Sequence, residues 1–74
     1  MKVKVGNNLY SMSTGEYRGL LKTASEQVPF GIYAVERNGY AELRNDRCTS
    51  MSQLKNLTRQ YRAAGFNVKS NKDK

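Results

Sequence analysis

Lys55, Arg59 and Arg62 stand at i, i+4 and i+7 in a stretch that holds no acidic residue. On a helix they fall within a stripe about 60° wide, centred about 130° from the apolar face. Clustered cations of this kind bind nucleic acid by displacing the counterions condensed on its phosphates. Arg47 precedes the stretch and Lys69 follows it, with Lys72 and Lys74 beyond. Residues 47–74 carry seven Lys/Arg against Asp73 alone, whereas residues 1–46 carry six against five acids, so nearly all of the net +7 lies C-terminally. The expected partner is therefore DNA or RNA, held by Arg47, Lys55, Arg59, Arg62 and Lys69. A charged helix face also keeps a small protein soluble without binding anything.

Tyr33, Arg37, Tyr40 and Arg44 form a second set of interest. On one face of a sheet they are suited to stacking bases while holding the backbone. They are equally suited to an interface, since Tyr and Arg dominate interface hot spots. The alternative to nucleic-acid binding is accordingly an adaptor or inhibitor that docks an acidic protein through this face.

Catalytic chemistry has little to work with. There is no His, which removes the commonest general base and imidazole metal ligation. Cys48 is the only cysteine, so no internal disulfide forms. It sits beside Arg47 just before a helix start, a setting that lowers a thiol pKa, but no base accompanies it. The expectation is a non-enzymatic protein with no cofactor and no metal. A lone cysteine fits a reducing compartment, and no apolar run reaches the roughly 18 residues of a membrane span. A soluble, cytoplasmic protein follows as the expectation.

The elements that would position these residues are legible from local signals. Asn38-Gly39 separates Phe30-Gly31-Ile32-Tyr33-Ala34-Val35-Glu36-Arg37 from Tyr40-Ala41-Glu42-Leu43-Arg44. Asn-Gly between such runs predicts a two-residue hairpin turn. The resulting register pairs Arg37 with Tyr40, Glu36 with Ala41, Val35 with Glu42, Ala34 with Leu43 and Tyr33 with Arg44. Phe30, Ile32, Ala34, Ala41 and Leu43 then read as core, and Tyr33, Val35, Arg37, Tyr40, Glu42 and Arg44 as solvent-facing. An N-terminal hairpin turning at Asn7-Asn8 would pair Val5 with Tyr10 and Val3 with Met12. Ser13 with Glu16, and Ser50 with Gln53, fit capping boxes opening two helices. Tyr17, Leu20, Leu21, Ala24 and Val28 share a face of the first, which Pro29 ends. Leu54, Leu57, Tyr61 and Ala64 share a face of the second, which Gly65 ends. Phe66-Asn67-Val68 alternates as a last short strand.

These elements predict an α+β fold in the order β-β-α-β-β-α-β. It is expected as two layers, with both helices on one face of a mainly antiparallel sheet. Without the first hairpin the order becomes β-α-β-β-α-β, the ferredoxin-like plan. Residues 1–69 make one domain, and 70–74 read as a polar, disordered tail. A chain this short has a marginal core, which makes a homodimer attractive.

Two resemblances bear on the setting. Arg37-Asn38-Gly39-Tyr40-Ala41-Glu42-Leu43 is similar to the signature octamer of RNA-recognition motifs. Glu42, however, stands where the second stacking aromatic belongs, and the turn already accounts for Gly39. The segments Leu9–Ser13 and Glu16–Lys22, with Pro29–Glu36 and Ala41–Asp46, resemble small basic proteins of unknown function encoded on mobile elements of Gram-positive bacteria. That resemblance implies an accessory protein of a conjugative element or phage and transfers no site residue.

Overall fold

The structure is a computed structural model, and it describes residues 1–72. Seven elements follow one another: β1 (Lys2–Val5), β2 (Asn8–Ser11), α1 (Thr14–Gln27), β3 (Phe30–Arg37), β4 (Tyr40–Arg47), α2 (Met51–Ala63) and β5 (Asn67–Lys72). The five strands make one sheet in the order β2-β1-β4-β3-β5, with only the β1–β4 pair parallel. The fold is α+β in the expected order. The ferredoxin-like alternative is not adopted, because β2 forms and closes the sheet beyond β1.

Asn38 and Gly39 both take positive φ, 47° and 76°, as a type I′ turn requires. The register follows from Arg37 opposite Tyr40 to Ala34 opposite Leu43, and then slips, so that Ile32 faces Asp46 and Tyr33 does not pair with Arg44. The β3–β5 register shifts at the same point. Gly31 (φ 147°) allows the close crossing there: a Cβ would lie 2.2 Å from the Asp46 carbonyl oxygen.

This bulge changes which residues share a face. Phe30, Ile32 and Val35 cluster together on one side with Cys48 and Leu54. Val3 and Ala41, which pair with each other, lie on the other side with Tyr17 and Leu43. The single apolar face expected of the hairpin is therefore split, and Val35, expected to face solvent, is 1% exposed.

The helices follow the split. Leu54 of α2 belongs to the first cluster and Tyr17 of α1 to the second, so the helices lie on opposite faces of the sheet rather than on one. Chain direction explains this. β2–α1–β3 and β4–α2–β5 each join parallel strands and move the same way across the sheet, but from strands that run in opposite directions. Right-handed crossovers of that kind put their helices on opposite faces.

The N-terminal hairpin turns one residue earlier than expected, which shifts its pairing by two. Gly6 (φ 62°) takes the first turn position, pairing Val5 with Asn8 and Val3 with Tyr10. The shift is even, so each side chain keeps its face. At the other end β5 runs to Lys72, so Ser70, Asn71 and Lys72 belong to the sheet and not to a tail. The Asn71 amide donates to Ser25 and to the Val28 carbonyl at the end of α1. The remainder of the expected tail, Asp73 and Lys74, lies outside the described residues.

Candidate nucleic-acid interface

The position of α2 is set at both ends. Ser50 Oγ accepts the Gln53 N–H at 3.1 Å. Gln53 Oε1 reaches past Ser50 to accept from the Thr49 backbone at 2.8 Å, so only half of the expected capping box forms. At the C-terminus the Gly65 N–H donates to Arg62 and the Phe66 N–H to Tyr61, the two bonds of a Schellman motif. Gly65 has φ 92°, and the Phe66 and Tyr61 rings meet edge-on at 6.3 Å. Arg37 completes the end. Its guanidinium donates to the Ala64 carbonyl at 2.9 Å and lies 4.5 Å over the Phe66 ring.

With Leu54 buried and Leu57 and Tyr61 half-buried, the remaining faces of α2 point away from the sheet. Lys55, Arg59 and Arg62 are all exposed. They line one groove with Met51, Leu54 and Thr58 of α2 and with Ser70 and Lys72 of β5. The groove encloses about 410 Å³ and runs along the outer edge of the sheet, where β5 has no further strand. Lys72 thus joins the predicted stripe. Continuing the alternation Phe66-Asn67-Val68 by four residues would have placed it there.

Arg47 and Lys69 do not join that groove. Arg47 pairs with Gly31, points to the α1 side and donates to the Gln27 carbonyl at the α1 C-terminus at 2.9 Å. Lys69 pairs with Ala34 and lines a cleft on the α1 side with Tyr17, Arg18 and Glu36.

The sheet divides the charge of the described residues. Pairing and helix positions put Lys2, Lys4, Arg37, Arg44, Lys55, Arg59, Arg62 and Lys72 on the α2 side, with only Glu42 and Asp46 as acids. The α1 side holds Arg18, Lys22, Arg47 and Lys69 against Glu16, Glu26 and Glu36. Both acids of the α2 side are already neutralised. Arg44 bonds Glu42 at 2.8 Å and Asp46 at 3.1 Å, and Lys4 lies 3.8 Å from Glu42. These bonds, that to Asp46 foremost, raise the Arg44 pKa further. The cations of α2 have no such carboxylates, and Arg59 reaches only Asn56, at 3.5 Å.

The Tyr/Arg set is turned to internal work. Arg37 caps α2, and Arg44 holds the two acids and stacks 5.8 Å from the Tyr61 ring. Tyr40 donates to Glu42 and packs 6.5 Å from Phe66. Tyr33 sits half-buried at the bulge. Tyr61 donates to Asp46 at 2.8 Å, and burial together with that bond pushes its pKa up to about 12. Cys48 is buried, and burial raises its pKa, opposite to what the neighbouring Arg47 and helix start suggest. The segment similar to an RNA-recognition octamer lies at the I′ turn, with Tyr40 against Phe66 instead of free to stack a base.

No helix among the described residues is long and apolar enough to cross a membrane. No family model, curated protein or solved structure matches the chain.

Proposed function

We propose that the protein is a non-enzymatic nucleic-acid-binding accessory protein whose α2 side takes a phosphate backbone. The observation that carries this reading is the division of charge by the sheet: an excess of six positive charges on the α2 side against one on the α1 side. Lys55, Arg59, Arg62 and Lys72 converge on one groove free of acids, and they are the phosphate ligands of this reading. Arg47 and Lys69 take no part in it. Phosphate contacts position a nucleic acid and carry no sequence information. The resemblance to proteins of mobile elements is compatible with such a role in the cytoplasm of a bacterial host.

Docking of an acidic protein through Tyr33, Arg37, Tyr40 and Arg44 is less well supported, because Arg37, Tyr40 and Arg44 serve contacts within the fold. Titration of labelled DNA and RNA at two salt concentrations tests the proposal. Four phosphate contacts predict an affinity that falls about a hundredfold between about 50 and 200 mM salt. Replacing Lys55, Arg59 and Arg62 together by Ala should remove most of that dependence. Absence of binding at low salt, or binding unaltered by the triple substitution, would refute it.

A further inference from the structure

The groove uses one flank of α2, but the crest of the helix is also exposed and free of acids. Ser52, Asn56, Arg59, Gln60 and Ala63 are all exposed there, opposite buried Leu54. At about 100° per residue, Ser52, Asn56, Arg59 and Ala63 fall within about 60° of one another along the line facing away from the sheet, with Gln60 beside Asn56. Among the described residues α2 is the only helix on its side of the sheet, so this crest is a ridge and not part of a flat layer.

The residue types on the ridge differ in kind from those on the flank. Asn and Gln match the donor–acceptor pair of adenine, and Ala packs against the thymine methyl. Ser52 and Ala63 are small at the two ends of the row, which lets a helix approach base edges closely. Lys55, Arg59 and Arg62 on the groove side, with Lys72 across the groove, would meet the phosphates of one bordering strand. The aromatic rings near α2 point inward: Tyr61 bonds Asp46, and Phe66 lies between Tyr40, Tyr61 and Arg37. A single strand held by base stacking would find no ring among the residues lining this groove.

We infer that α2 enters the major groove of duplex DNA, with Asn56 and Gln60 at base edges and Lys55, Arg59, Arg62 and Lys72 on the backbone. This rests on the phosphate-binding reading and adds a nucleic-acid class and a base-reading role to it. The B-form major groove is about 12 Å wide and admits a helix. The A-form major groove of duplex RNA is deep and narrow, and side chains do not read it. The positive charge of the ridge and of its groove-side flank complements the phosphates of one groove wall.

The test uses the full chain with three probes of the same length and sequence: duplex DNA, duplex RNA and single-stranded DNA. Duplex DNA should bind at least about tenfold tighter than the other two, the discrimination of one good bidentate base contact. Selection from a randomised DNA duplex pool should enrich a short sequence. The exposed double substitution Asn56→Ala with Gln60→Ala should abolish that enrichment while leaving the salt dependence intact. Arg62→Ala should weaken all sequences alike and lower the salt slope by about one. Equal binding of duplex RNA, tighter binding of the single strand, or an enrichment that survives the double substitution would overturn this inference and leave phosphate binding standing. Failure of all three probes to bind would overturn both.

Discussion

Arg37 and Arg47 illustrate how side chains of one type divide between roles. Each stands on a sheet strand and donates to a carbonyl at the C-terminus of a helix, Arg37 to Ala64 of α2 and Arg47 to Gln27 of α1. A cation at that end also meets the negative pole of the helix dipole. Arg37→Ala should lower stability by about 1 kcal/mol, the size of one exposed charged hydrogen bond, measured by urea denaturation. Its effect on DNA affinity should be much smaller than that of Arg59→Ala. The tyrosines add a pH dependence. Tyr61 is raised to about 12, and Tyr17 is raised also, by burial first and by its bond to Glu36 second. A raised pKa means that the folded state holds the proton more tightly than the unfolded chain. Their stabilisation is therefore complete below about pH 10 and lost as pH climbs toward and beyond 12. Unfolding midpoints measured between about pH 9 and 11 should fall, and Tyr61→Phe should reduce that fall; an undiminished fall would contradict the assignment. At this scale the sequence told which residues carry charge. It could not tell Arg47 from Arg59, because the partner of Arg47 is 20 residues away in the chain.

The elements were legible wherever their signal is local. Ser13 and Glu16 form both bonds of a capping box, Asn38-Gly39 makes the turn its type requires, and Gly65 ends α2. The bulge opposite Tyr33 was not legible, because it depends on how β3 meets two neighbours at once. Its consequence was large: one residue of slip put Phe30 and Ile32 on the face of Val35, which keeps its expected partner Glu42 and is buried under α2. Gly31 and Gly19 provide a matched test of this account. A Cβ at Gly31 would meet backbone at 2.2 and 2.9 Å at a φ that L residues avoid, whereas at Gly19, within α1, nothing lies within 4 Å. Gly31→Ala should destabilise by several kcal/mol, enough to unfold a small domain. Gly19→Ala should raise stability by about 0.5–1 kcal/mol by removing unfolded-state freedom from a helix interior. Circular dichroism during thermal unfolding checks both, with melting temperatures moving in opposite directions. A tolerated Gly31→Ala would mean that β3 and β4 do not cross as described.

For the whole molecule, the sequence shows the charge as an asymmetry between the two ends of the chain, and the fold recasts it as an asymmetry between two faces. Lys2, Lys4, Arg37 and Arg44 come from residues 1–46 and join the α2 side, while Arg47 and Lys69 leave it. That exchange follows from the opposite-face placement of the helices, which strand directions dictate and no local pattern reveals. The anionic partner should therefore see one face only. Backbone amide shifts recorded by NMR while a DNA duplex is added test this claim most directly, because basic residues exist on both sides. Shifts should concentrate on residues 51–63 and 70–72 and fade as salt is raised. Shifts concentrated instead on Arg18, Lys22, Arg47 and Lys69, the cations of the α1 side, would contradict it.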